Sequence, residues 1–355
     1  MLERFRCACV LAFLGVTAAA CSDGTGARPG QFNAVRVEAG VAAVERAAAS
    51  PVLRSLEVVA RGAADVGATQ STIGTVQSGR SLEDAVRRLA GATTDAGAAL
   101  IPIMQASVLG KTFVYDPGAQ TYVPDPSRTG APPNGARFVL YETTATGEPI
   151  LDREAGYADL TDEKRSSAST AGIRLVVVSG GVTRLSYSFD LTGSFEAATF
   201  DVRGFLTDGS ERIDFSIRTS QQLFGQGGTA TLEATLSVPQ HDFVVTAKAQ
   251  GMAGETNGDG EIDLTIKSGV DEIVVDAQTV EGQLDATFTV NGQLLAAATG
   301  DPTSPTIRGE GGRELTDEEL HALGAIVSMA GSLFMFISGL LQPAGVLLLI
   351  ALGIT

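Results

Sequence analysis

The chain has 355 residues, a formal net charge of −16 and a sequence pI near 4.5. This acidity argues against nucleic acid as a partner and against electrostatic attachment to anionic lipid. The three cysteines all lie at or before Cys21, so the rest of the chain holds neither a disulfide framework nor a cysteine metal site.

The N-terminus is organised like a secretory signal. Arg4 and Arg6 form a basic region, residues 10–16 are apolar, and small alanines precede Cys21. The run Val16-Thr17-Ala18-Ala19-Ala20-Cys21 resembles the lipobox of bacterial lipoproteins, a resemblance that covers about the first two dozen residues. It implies that residues 1–20 are removed and that Cys21 is acylated. The protein would then be anchored in a lipid bilayer of the cell envelope, facing the periplasm or the cell surface. Ordinary secretion with a free thiol at Cys21 is the alternative.

A short tether and a helical region are predicted next. Residues 21–30 contain three glycines and no large apolar residue, which is typical of a flexible linker between a lipid anchor and a domain. Residues 31–100 are predicted to contain helices that pack on a sheet. Val37, Val41 and Val44 recur at helical spacing, and Ser50-Pro51 has the form of an N-cap followed by proline at the first helical position. A third helix is predicted to begin at Ser81.

The region 101–313 carries the alternation typical of antiparallel strands with one apolar face. A hairpin with a longer loop is predicted around residues 116–120, and pairs such as Gly180-Gly181 and Asn291-Gly292 fit tight turns. The connections from residue 172 onward are too short for crossover helices, which excludes a parallel sheet there. The pattern predicts a long, curled antiparallel meander of about ten or more strands. Its apolar core or ligand face, extended by two phenylalanines of the C-terminal segment, contains Leu185, Tyr187, Phe189, Phe215, Phe243, Phe288, Phe334 and Phe336.

The C-terminal segment, 314–355, carries no charged residue after residue 321. Thr316-Asp317-Glu318-Glu319 has the form of a capping box, so a helix is predicted to begin near Asp317. Beyond His321 that helix is apolar all round, which predicts burial on every side. We expect it to cover the concave, apolar face of the sheet and so to complete an α+β fold. A membrane span over residues 322–341 is the alternative, because a helix of twenty residues is long enough to cross a bilayer.

One stretch resembles the first nine positions of an EF-hand calcium loop. Oxygen-bearing side chains occupy the coordinating places, and Gly260 occupies the sixth. The twelfth place is Ile266 where that loop has a glutamate, and strands are predicted on both sides. The stretch is therefore either a weak Ca²⁺ site or an ordinary hairpin turn. The candidate metal ligands are Glu255, Asn257, Asp259, Glu261 and Asp263.

No motif for catalysis appears in the sequence. His241 and His321 are interpreted as structural residues, and no catalytic residue is assigned. The interpretation is a membrane-anchored envelope lipoprotein with a non-catalytic structural or interaction role. Its expected partners are the bilayer, through Cys21, and an apolar ligand or another envelope protein. The alternative is a carrier of lipid or another apolar ligand, by analogy with the architecture of periplasmic lipoprotein carriers. A hydrolase of unidentified type is the third hypothesis.

Overall fold

The computed structural model describes residues 34–51, 54–56, 104, 106–163, 170–193, 197–224, 227–253, 259–331 and 336. The predicted signal peptide with Cys21, the tether, the third predicted helix and residues after 336 lie outside these ranges.

In the described part of the chain, fifteen strands form a long, open and mainly antiparallel sheet, which confirms that the meander is antiparallel. From β3 to β15 each strand neighbours the next one in the chain, and β2 and β15 form the two edges. The strands are β1 Lys111–Asp116, β2 Thr121–Pro124, β3 Gly135–Thr143, β4 Pro149–Asp162, β5 Thr170–Ser179, β6 Val182–Gly193, β7 Ala197–Thr207, β8 Arg212–Phe224, β9 Gly227–Val238, β10 Phe243–Ala253, β11 Gly260–Ser268, β12 Asp271–Val280, β13 Gln283–Val290, β14 Gln293–Gly300 and β15 Thr306–Arg308.

The predicted turn chemistry is present in the backbone. Gly180 and Gly181 both have positive φ, as do Asn291 and Gly292, which is the geometry of the tight turns that match strand twist. The hairpin of β1 and β2 also forms where it was predicted. Two features were not predicted: β4 forms within a mixed polar stretch, and β1 pairs with β3 in parallel. The pair is parallel because β2 returns the chain to the end at which β1 begins, and β3 starts from that end. It pairs with the edge of β1 that β2 leaves open.

The chain divides into two compact units. The first contains the N-terminal helix as far as Glu45 and the residues from Ile217 to Phe336. Its core is built from cross-strand neighbours of β9 to β13, which share one face of the sheet. One such row is at most 2 % exposed and contains Leu236, Val245, Ile266, Ile273 and Val290.

The N-terminal helix, Ala34–Ala48, packs against β10 in the first unit. Its buried side includes Val37, Ala43 and Val44, whereas Val41 from the predicted stripe is only half-buried. A Cβ atom at Gly40 would lie 2.4 Å from Cγ of Phe243, whose side chain is fully buried. Glycine is unfavourable inside a helix, so its presence here is explained by the close approach of the backbone to the Phe243 ring.

The second unit runs from Arg46 to Ser216 among the described residues. Its core again consists of cross-strand neighbours, at most 1 % exposed: Phe138, Ala158, Val177, Leu185 and Leu206. The predicted N-cap is confirmed, because Ser50 O accepts a hydrogen bond from Arg54 N and Pro51 is helical. The buried Ser55 hydroxyl, one turn later, lies 2.7 Å from Tyr141 O of β3 and donates to it.

The C-terminal helix covers residues 317–331 and begins with the predicted capping box. Thr316 N donates to Glu319 Oε2 at 2.9 Å, and Glu319 N donates to Thr316 Oγ1 at 3.3 Å. Arg313, which was not predicted to take part, donates to Glu319 Oε2 at 2.7 Å. The hydrogen bonds from Arg313 and then from Thr316 hold the pKa of Glu319 at about 2.

The prediction that this helix is buried on every side is wrong for its described residues. Leu323, Ile326 and Met329 form a buried stripe at three-residue steps. Ala325 and Ser328 are exposed on the other side, where small side chains expose little apolar surface. Among the described residues, no helix has both the length and the apolar character needed to cross a bilayer.

Replacing Glu319 by Gln should remove the charge-assisted part of this cap and cost about 1 kcal/mol near neutral pH. The folded-state pKa of Glu319 lies below its ordinary value of 4.5. The Glu319 charge therefore contributes fully to the free energy of unfolding above about pH 4.5, and this contribution disappears as the pH falls towards 2. Urea unfolding of both proteins from pH 6 to pH 3 measures the difference. A difference that stays constant over this range would contradict the role of the Glu319 charge.

Candidate functional site

The apolar face of the second unit is the strongest candidate site because it combines aromatic side chains with a buried phenol. Strand register places Leu160, Leu175, Tyr187 and Gly204 side by side on β4 to β7. The two leucines are 1 % exposed and Tyr187 is 3 % exposed. The strands therefore present one continuous apolar row with a single polar group, the Tyr187 hydroxyl.

Gly204 allows two aromatic rings to meet across β7. The ring centroids of Tyr187 on β6 and Phe215 on β8 are 6.1 Å apart. Strands two places apart are separated by roughly 9.6 Å, so the rings converge over the strand between them. A Cβ atom at Gly204 would lie 2.4 Å from Cβ of Tyr187 and 2.2 Å from Ser186 O. A glycine at an inward position of an alternating strand was the sequence signal for this contact, and it was missed.

The Tyr187 hydroxyl is buried and has no hydrogen-bond partner among the residues that the structure describes. Burial raises the pKa of this phenol far above its ordinary value, so it stays protonated and acts only as a neutral donor or acceptor. A buried hydroxyl without a partner destabilises the folded state. The Tyr187 side chain can therefore have one of two roles. It either packs in the core and destabilises the folded state through its hydroxyl, or it forms a hydrogen bond with a ligand that is otherwise apolar.

Tyr122 is a matched comparison within the same unit. Its side chain is 4 % exposed, and its hydroxyl donates to Val139 O at 2.9 Å. Its ring makes edge contacts with Tyr115 and Phe138. Burial, followed by the nearby Tyr141 and Tyr115, raises the pKa of Tyr122.

We expect opposite effects from removing these two hydroxyls. Tyr187→Phe should leave the free energy of unfolding unchanged or raise it by about 1 kcal/mol, because a buried unpaired group is removed. Tyr122→Phe should lower it by about 1 kcal/mol, because a buried hydrogen bond is lost. Guanidinium unfolding of the two variants measures both changes. An equal loss in both would show that the Tyr187 hydroxyl has a partner in solution.

The other side chains of the predicted core or ligand face are buried wherever the structure describes them. Phe189 is 8 % exposed, Phe243 0 %, Phe288 4 % and Phe336 7 %. Phe334 lies outside the described residues. In the first unit, burial decreases along the strands: the residues near the 268–271 turn are buried, whereas Leu232, Ile262 and Leu284 towards the other end are half-buried.

The described part of the predicted calcium loop belongs to a strand and its flank. Asp259 Oδ1 accepts a hydrogen bond from Glu281 N at 2.9 Å, and Glu261 accepts one from the side chain of Gln250. Asp263 lies opposite Lys248 on one neighbouring strand and opposite Asp276 on the other. Glu255 and Asn257 lie outside the described residues. No group of three or more potential metal ligands converges within the part of the chain that the structure describes.

The opposite, polar face of the second unit is dominated by ion pairs. Arg137 donates to both carboxylate oxygens of Asp159, at 2.7 and 2.8 Å, and its guanidinium lies 3.7 Å from the ring centroid of Tyr157. The two histidines are elsewhere: His241 ends a 3₁₀ turn between β9 and β10, and His321 is exposed on the C-terminal helix. The polar face is thus built for solubility and strand pairing.

Comparison with models of known protein families, with curated proteins and with solved structures yields no match to this chain.

Proposed function

We propose that the protein is a non-catalytic lipoprotein of the bacterial envelope, held on a bilayer by acylation of Cys21, with a structural or interaction role. The observation that supports this role is the burial of the apolar face. Leu206 and Ile213 in the second unit and Phe243 in the first are fully buried. A face open to ligand would expose such side chains, so their burial favours a filled core.

In this proposal the C-terminal helix fills part of the concave side of the sheet. Leu323, Ile326 and Met329 are buried along one stripe of the helix, and the helix belongs to the same compact unit as the apolar rows of β9 to β13. The sheet and the helix each have one apolar face that must be buried, and both faces are buried if the helix packs against the sheet. Residues 322–341 are accordingly proposed to belong to the fold and not to a membrane span.

Intact-mass measurement of the protein purified from envelope membranes tests the anchor. We expect the mass of a chain that begins at Cys21 and carries acyl chains, and we expect Cys21→Ser to retain the unprocessed N-terminus. A chain found in the soluble fraction with an unmodified thiol would overturn the anchored role. The compartment, with the domain facing the periplasm or the cell surface, is part of the same proposal.

A carrier of an apolar ligand is the second candidate, and the unpaired Tyr187 hydroxyl favours it. A ligand with one acceptor oxygen, such as an ester or a carboxylic acid on a hydrocarbon chain, would satisfy that hydroxyl. Organic extraction of the purified protein followed by mass spectrometry decides between the two roles. A stoichiometric apolar compound that Tyr187→Phe depletes and Tyr122→Phe does not would establish the carrier. Absence of such a compound supports the structural role.

A further inference from the structure

The first turn of the N-terminal helix lies at one end of the first unit. Arg36 reaches the β11–β12 turn, where its Nη1 would lie 2.6 Å from a Cβ atom placed on Gly269. One turn later, Gly40 rests on Phe243, the first residue of β10. Because the strands are antiparallel, this end also carries the β9–β10 and β13–β14 turns. We call it the 268–271 end.

Val270 forms the tip of that end and is unusually exposed. It is 90 % exposed, the largest value among the exposed large apolar residues of the described chain. It lies between Gly269 and Asp271, and Gly269 N donates a hydrogen bond to Asp242 O of the neighbouring β9–β10 turn at 3.0 Å. Lys267 and Glu272 form an ion pair at 2.9 Å. Asp242 and Asp271 add two carboxylates and Arg36 adds one cation, so the tip is apolar at its apex and mildly acidic around it.

The opposite end of the same strands is acidic. Asp259, Glu261, Glu281 and Asp285 are all exposed there, around Val280 at the end of β12. Anionic side chains are strongly hydrated and are costly to insert into a bilayer. Val270 and Val280 flank a strand of about 33 Å, so one end can contact a surface while the other stays in water.

We propose that the 268–271 end faces the bilayer and that Val270 contacts lipid at the level of the headgroups. This inference rests on the proposed acylation of Cys21. Twelve residues separate Cys21 from the first helical residue, Ala34. Most of this stretch is the tether that the sequence predicts to be flexible. A flexible chain of twelve residues spans about 20 Å, less than the length of β12, so the anchor favours the end at which the helix begins. The apolar and less acidic tip then fits a lipid surface better than the opposite end does.

The test uses tryptophan, which the natural sequence lacks. Val270→Trp and Val280→Trp are made in the full-length, acylated protein, which is then incorporated into phosphatidylcholine vesicles that contain lipids with a nitroxide near the headgroup. We expect the emission of the tryptophan at position 270 to shift to shorter wavelength and to be quenched several-fold more strongly than that at position 280. Equal quenching of the two, or stronger quenching at position 280, would overturn the orientation.

Two controls separate this inference from its premise. Intact mass of each variant establishes acylation, so weak quenching in an acylated protein refutes the orientation alone, whereas an unacylated, unbound protein refutes the proposed function and the orientation together. Emission is also measured at a tenfold lower ratio of protein to lipid. A shift at position 270 that disappears on this dilution would identify a second copy of the chain as the partner of Val270 and would overturn lipid contact.

Discussion

Gly40→Ala should lower the free energy of unfolding by about 2 kcal/mol, although alanine is the better helix former. The new methyl group would lie 2.4 and 2.5 Å from Cγ and Cδ2 of Phe243, a ring with no exposed surface into which to move. Overpacking of this kind costs about 1–3 kcal/mol, and the gain in helix propensity of about 1 kcal/mol offsets only part of a cost near the upper limit. Urea unfolding followed by circular dichroism measures the change.

Gly324 in the C-terminal helix is the matched control. It is a helical glycine with no described atom within 4 Å of the position of an added Cβ atom. Gly324→Ala should therefore raise the free energy of unfolding by up to about 1 kcal/mol. Opposite signs at the two glycines are the expected result. A stabilising Gly40→Ala would show that the N-terminal helix does not rest on the Phe243 ring in solution.

A second substitution tests the same contact directly. Phe243→Leu removes ring atoms beneath Gly40 at the cost of a smaller core side chain. If the loss in Gly40→Ala comes from that ring, the two substitutions together should cost less than the sum of their separate effects, by about 0.5–3 kcal/mol. Additive losses would mean that the helix accommodates the methyl group by another route.

Local sequence signals predicted the backbone of the sheet well. Alternation over β6, β11 and β13 is a property of neighbouring residues, and Asn291-Gly292 specifies its turn through its own φ preference. The capping box at Thr316 is likewise contained within four residues. Features of this kind depend only on residues that are a few positions apart in the sequence.

Features that depend on distant parts of the chain were not predicted. Gly204 is explained only once β6 and β8 place Tyr187 and Phe215 on either side of it, and Gly40 only once Phe243 lies beneath it. The parallel pairing of β1 with β3 depends on which edge of β1 the hairpin leaves open. The candidate site shares this difficulty, because the packed core determines that no described residue is a hydrogen-bond partner of the Tyr187 hydroxyl.

The C-terminal helix shows where composition misled the prediction. A segment without charges predicts burial all round, yet only the stripe through Leu323, Ile326 and Met329 is buried. The exposed side is made of small residues, Ala325 and Ser328, which hydropathy averages treat as part of an apolar segment. Side-chain size, and not polarity alone, therefore distinguishes the covered side of this helix from the open one.

Ile326→Asp should lower the free energy of unfolding by about 4 kcal/mol, which makes it the most disruptive single substitution proposed. Ile326 is fully buried, so the aspartate would both leave a cavity and place an unpaired charge in an apolar environment. Ser328→Asp, two residues later and exposed, places the same charge on the other side of the helix and should cost less than about 0.5 kcal/mol. Thermal unfolding of the purified variants compares them. If both aspartates are tolerated equally, the helix is not part of the core, and the proposal that it fills the apolar face of the sheet fails.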